Sequence, residues 1–232
     1  MITVRKSAER GTTKIGWLDS KHSFSFADYV DPAFENFGAL RVINEDWIAA
    51  GAGFPPHPHR DMEIVTYILE GALQHKDSSG GGGVIRPGEI QRMSAGAGVV
   101  HAEFNASQQR PCHLLQIWIM PSKKGIEPSY EQKAMDIQAI TNKLARIAGP
   151  KPQPNEIRLM QDAEIWVSRL DRDIEVIHPL APGRRAWVQM AKGEITLGDE
   201  TLRAGDAAAV TDQDQVTICS NAPSEVLLFD LA

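Results

Sequence analysis

Short apolar runs of strand length, closed every few residues by glycine, proline or aspartate, fill this chain from end to end. EIVTYILEGALQHKD, GVIRPGEIQRMSAG and HLLQIWIMP stand in the first half, RAWVQMAKGEITLGDETL and AAAVTD in the second. Runs this short, so regularly punctuated, leave no room for ordinary helices and predict an all-β sandwich or barrel. At 232 residues the chain can hold one large β domain or two small ones.

A weak internal repeat favours two. YILEGALQHKD followed by RPGEIQRMSAG is echoed by VQMAKGEITLGD followed by RAGDAAAVTD. The boundaries this implies are residues 1–130 for the first domain and 156–232 for the second, with 131–155 as a linker region. Within the linker Ile137, Ile140, Leu144 and Ile147 fall at helical spacing before the stop GPKPQPN. A short helix followed by a strand at LARIA is the competing reading of the same residues.

Chemistry concentrates in the first half. His57 and His59 in FPPHPHRDME, and His101 and Glu103 in VVHAEFN, each have the i, i+2 spacing that aims both side chains to one face of a strand. Two such strands side by side would converge three imidazoles and a carboxylate on one point, a donor set for a divalent transition ion. Pro55, Pro56 and Pro58 stiffen the backbone that presents the first pair. Gly96 and Gly98 allow a tight turn or close approach before the second. Strict alternation through Asp61 also brings Glu63 to the same face, so Glu63 and Glu103 both have a claim as the carboxylate, the other orienting a ligand from behind. Setting Gly193 on Gly71 puts Pro179, Ala181 and Arg185 where His57, His59 and Glu63 stand, so the second half repeats the scaffold without the ligands.

Composition narrows the partners. A net charge of −6 argues against direct nucleic-acid binding, and the longest apolar runs are too short to span a bilayer. With no secretory pattern and two cysteines, Cys112 and Cys219, read as buried thiols, the expected compartment is the cytoplasm.

Other features take secondary places. SSGGGG at 78–83 reads as a mobile hairpin tip, and His75 as a hydrogen-bonded histidine that points toward the site. Phe24 and Phe26 in HSFSFADY should share one face, packing in the core or lining a substrate pocket. Trp118 reads as core, and His22, His113 and His178 have no partner pattern.

Gly51-x5-His57-x-His59-x3-Glu63-x7-Gly71 resembles the first cupin motif, and Gly98-x2-His101-x3-Asn105 the second, with Gly96 where proline is common. HSFSFADYVDP, FGALRVINED, HPHRDMEIVTYILEGALQHKDS and MSAGAGVVHAEFN further resemble the pirin family, and cover nearly all of residues 20–120. The resemblance implies a bicupin of two β-barrel (jelly-roll) domains with short helical segments and one metal, held by His57, His59, His101 and Glu103. Glu63 then becomes a pocket or supporting residue. Iron(II) is the first choice, with zinc, nickel, copper, cobalt or manganese as alternatives.

Three histidines and one carboxylate leave a charge of about +1 on a divalent ion, which favours a monoanionic enolate or phenolate. Bacterial members of the family resemble quercetin 2,3-dioxygenases. The expected chemistry is opening of a flavonol's central ring with O2 as co-substrate and release of carbon monoxide. The 3-hydroxyl would bind the metal and Glu103 would act as the catalytic proton acceptor. The alternative is a non-enzymatic metal protein that binds regulatory proteins, as eukaryotic relatives do. A monomer is expected, because two cupin halves cover each other's sheet edges.

Overall fold

Turn-forming residues cut the chain into twenty-two strands and very little helix, and the structure, a computed structural model, describes residues 1–232. The first strands are β1 (Ile2–Arg5), β2 (Gly11–Ile15), β3 (Leu18–His22), β4 (Leu40–Ile48), β5 (Gly53–His59) and β6 (Glu63–Glu70). Then come β7 (Leu73–Asp77), β8 (Gly82–Ile85), β9 (Glu89–Ser94), β10 (Val99–Asn105), β11 (Cys112–Ile119) and β12 (Ser129–Ala134). After one helical turn, α1 (Ile137–Ile140), follow β13 (Ala145–Gly149), β14 (Ile157–Arg158), β15 (Ala163–Leu170), β16 (Glu175–Pro179) and β17 (Arg185–Lys192). The last are β18 (Glu194–Leu197), β19 (Glu200–Arg203), β20 (Ala207–Val210), β21 (Gln215–Ser220) and β22 (Ser224–Leu231).

These strands build two barrels of one design. The first pairs a seven-stranded sheet, β12-β9-β6-β11-β4-β3-β2, with a four-stranded sheet, β5-β10-β7-β8. The second repeats it as β1-β20-β17-β22-β15-β13-β14 and β16-β21-β18-β19. The all-β bicupin expected from the sequence is the fold.

Strand pairing draws the halves differently from the sequence boundaries. Ile2–Arg5 lies in the second half's large sheet, with Ile2 opposite Val210 and Arg5 opposite Ala207. Ser129–Ala134 completes the first half's sheet against β9, so residue 130 falls inside a strand. The region 131–155 holds the end of β12, then α1 and β13, so the competing reading of a short helix followed by a strand at LARIA is what forms. Asp136 caps α1 by accepting from the Gln138 amide at 2.9 Å, and the extended Thr141 ends the helix, with Asn142 at φ 55° turning the chain after it.

Alternation gives each strand of the large sheet two fates. One face of β4, β6 and β11 puts Ile43, Val65, Tyr67, Leu69, Leu115 and Ile117 into a core shared with Trp187, Leu227 and Phe229 of the second half. Each such side chain contributes about 1.5–3 kcal/mol on burial, and so the two large sheets are clamped back to back. The opposite face turns into the first barrel and presents Asn44, Asp46, Ile64, Gln116 and Trp118 to a cavity. In the second barrel the corresponding space is filled by Val176, Val188, Ile195, Val216, Ile218 and Val226. No helix is long and apolar enough to cross a membrane.

Candidate metal centre

β5 and β10 are adjacent antiparallel strands, and their register sets His57 directly opposite His101, with His59 opposite Val99. The three imidazoles therefore meet inside the first barrel, with ring centroids 4.4 to 4.8 Å apart. The register slips between His101 and Glu103, so that Glu103 faces Phe54 and two residues of β5, Pro55 and Pro56, stand against Ala102 alone. Proline suits this bulged edge strand, since it has no N–H to leave unpaired. His57 Nδ1 lies 2.8 Å from the Pro55 carbonyl, which accepts only from a protonated Nδ1 and leaves the Nε2 lone pair free.

Nε2 of His57 and Nε2 of His101 are 2.9 Å apart. Two imidazole nitrogens at right angles around an ion, each at the usual bond length, stand about 3 Å from each other. Burial drives His59 and His101 down to about 4, with the neighbouring imidazoles adding to the effect and the Glu103 charge opposing it. Both rings are neutral lone-pair donors at neutral pH. Burial alone would raise the Glu103 carboxyl, but its contacts with His75, His101 and Gln116 win and hold it at about 2.

Glu103 and the histidine trio share His101. The carboxylate groups with His75 and His101, whereas His57, His59 and His101 form a separate group. Gln116 Nε2 donates to Glu103 Oε2 at 2.8 Å, while the buried Oε1 accepts no hydrogen bond. A buried carboxylate oxygen without a donor, next to His101 and in one cavity with His57 and His59, belongs to a donor set that a divalent cation satisfies.

His75 supports this group from behind. Its Nε2 is 3.0 Å from Asp77 Oδ2, its Nδ1 is 3.3 Å from His101 Nδ1, and its ring stacks on Tyr130 at 5.1 Å. Burial lowers its pKa, yet Glu103 and Asp77 outweigh burial and raise it. Asp77 also accepts from the Ser79 and Gly81 amides, which ties the glycine-rich tip to the same chain of contacts.

A cavity of about 280 Å³ opens in front of the histidines. Trp118 stands edge-on to His59 at 4.9 Å and Phe26 edge-on to Trp118 at 5.4 Å, which gives the cavity flat aromatic walls. Trp118, read from sequence as core, is thus a wall residue. Phe24 and Phe26 do not share a face, because β3 ends at His22 and alternation stops there. Phe24 packs on Trp187 in the core between the halves, 4.7 Å between centroids.

Glu63 lies outside the cavity. The chain turns at Asp61, φ 50°, before β6 begins, so the count of alternate residues from His59 does not carry across. Glu63 is instead fully buried beside Arg92, whose Nε is 3.9 Å away, and accepts from the Met160 amide at 3.2 Å. Gly96 earns its place by close approach: a Cβ there would come within 2.1 Å of the Ile126 carbonyl oxygen, at φ +46°.

Sequence reasoning missed the wall opposite the histidines. Gln116, Asn44 and His22 line up across β11, β4 and β3, and Asp46 and Ser20 pair in the next row, with Thr13 beyond on β2. All six line the cavity. His22 Nδ1 is 2.7 Å from Asn44 Oδ1, its Nε2 is 2.8 Å from Thr13 Oγ1, and Ser20 Oγ donates to Asp46 Oδ1. Desolvation pushes Asp46 up to about 7, with the Glu103 and Glu45 charges adding and Ser20 opposing. The signal was present, for Ser20/His22 and Asn44/Asp46 have the same i, i+2 spacing as the histidine pairs.

Residues 3–119 match the family model described as Pirin, and residues 146–231 match one described as the quercetinase C-terminal cupin domain. A quercetin 2,3-dioxygenase from Escherichia coli strain K12 is 46% identical over 231 residues, covering 100% of this chain and 99% of that protein. The crystal structure of YhhW from Escherichia coli has a TM-score of 0.96 to this chain at 45% identity, covering 100% and 98% of the two. The crystal structure of the bacterial pirin YhhW in complex with nickel(II) gives 0.94 at 44% identity, covering 100% and 99%.

Proposed function

Because the chain belongs to the pirin family, we propose that it is a metal-dependent dioxygenase whose substrates are flavonols, the class that includes quercetin. The observation that carries this reading is the convergence of His57, His59 and His101, with the buried Glu103 carboxylate grouped on the same His101, at one end of an aromatic-walled cavity. His57, His59 and His101 would hold the metal through Nε2, with Glu103 as the fourth ligand. Iron(II) or nickel(II) suits the donors, and a nickel complex of a relative is known. Such an ion supplies Lewis acidity toward a flavonol oxygen and brings O2 beside the electron-rich ring.

The chain's own residues do the rest. Trp118 and Phe26 offer flat faces to a flat polycyclic substrate. Glu103 is ionised, so it accepts the proton of the substrate's 3-hydroxyl. Gln116 fixes the carboxylate's orientation while it does so. Ring opening with release of carbon monoxide follows from O2 addition across the central double bond. The second barrel, with Pro179 and Ala181 where the first has His57 and His59, acts as a structural partner.

The test is O2 uptake by protein loaded separately with iron, nickel, copper, cobalt or manganese and mixed with quercetin. Uptake with at least one metal, abolished in His101→Ala, is expected. No uptake with any of them overturns the reading.

A further inference from the structure

The cavity wall carries polar residues that the metal chemistry does not use. Asp46 and Asn44 are 3% and 4% exposed, on alternate positions of β4 and therefore on the same face. Asp46 Oδ1 is taken by Ser20 Oγ, and its Oδ2 has no protein partner. Asn44 Oδ1 is taken by His22 Nδ1, and its Nδ2 has no protein partner either. A carboxyl oxygen, which accepts as carboxylate and donates as acid, and an amide donor thus stand side by side in the wall facing the histidines, held in place by Ser20, His22 and Thr13. His22 in turn packs on Phe26 at 5.2 Å, so the polar pair abuts an aromatic surface. Both free atoms belong to residues that line the cavity, so a molecule entering it can supply their partners.

We propose that Asp46 and Asn44 form a specificity site for the hydroxyl groups on the pendant aromatic ring of the substrate. A phenolic hydroxyl both donates and accepts, so it matches the Asp46 carboxyl in either protonation state together with the Asn44 amide. A ring without hydroxyls leaves both groups unpaired on binding, which selects against it. The inference rests on the flavonol reading, and it assigns to Asp46 a role in choosing among flavonols while the histidines do the chemistry.

Anaerobic binding to the metal-loaded full chain tests it, with two probes: quercetin, and the flavonol whose pendant phenyl ring carries no hydroxyl. The wild type should bind quercetin at least about tenfold more tightly, the range expected for a hydrogen bond to an acidic group. Asp46→Asn keeps the shape and the acceptor for Ser20, and should bring the two affinities to within about twofold. Asn44→Leu should shrink the preference in the same direction. Equal binding of the two probes by the wild type, or a preference that survives Asp46→Asn, overturns the inference. Turnover separates the two readings: loss of the preference without any O2 uptake sinks the oxygenase while the hydroxyl site stands. Uptake with an unchanged preference does the reverse.

Discussion

Asp46→Asn in metal-free protein makes a quantitative test of the cavity's electrostatics. Burial raises the Asp46 carboxyl from 3.8 to about 7. Between those values the folded chain holds a proton that the unfolded chain has released, so stability falls as pH rises. The carboxyl is harmless to stability below about pH 4, and its cost is complete above pH 7. Three units at 1.36 kcal/mol each make that cost about 4 kcal/mol, of which about 2–3 kcal/mol accrues between pH 5 and pH 8. Asparagine does not titrate, and its carbonyl still accepts from Ser20. The assay is urea unfolding of both proteins at several pH values in that interval. The variant should gain on the wild type steadily with pH, by about 2–3 kcal/mol in total, and the gain should level off above pH 8. A difference between the two proteins that stays constant across the interval refutes the account of Asp46 as a carboxyl held neutral by burial.

Gln116→Leu removes the amide that orients Glu103, and should weaken metal affinity by about 10–100-fold in a competitive chelator titration. His75→Ala should act in the same direction by freeing the back of His101, whereas Glu63→Gln should leave metal content at the wild-type value in elemental analysis. Trp187→Ala opens a hole in the core between the halves, where Phe24 and Phe37 pack on the indole at 4.7 and 5.7 Å, and should cost about 3–5 kcal/mol in denaturant unfolding.

The pairs His57/His59 and His101/Glu103 were legible as same-face pairs because i, i+2 spacing within one strand is a local fact that the rest of the fold cannot alter. The same rule misled where it was carried across a turn. Glu63 lies beyond the left-handed Asp61, and Phe26 lies beyond the end of β3, so neither keeps the phase of the residues before it. Trp118 was hidden for a different reason. β11 is buried on both faces, one against the second barrel and one around the cavity, and uniform hydrophobicity cannot say which face is which. The placement of Ile2–Arg5 beside β20 depends on a contact between opposite ends of the chain, for which local pattern has no signal. His22 lacked a metal-like neighbour and was passed over, although its alternation with Ser20 placed both on the cavity face.

Simultaneous measurement of O2 consumed and carbon monoxide released during turnover of quercetin tests the oxygenase most directly. Ring opening at the centre built by His57, His59, His101 and Glu103 predicts one carbon monoxide for each O2, with both absent in His57→Ala. O2 consumption without carbon monoxide, or equal release by His57→Ala under the same metal loading, would contradict it.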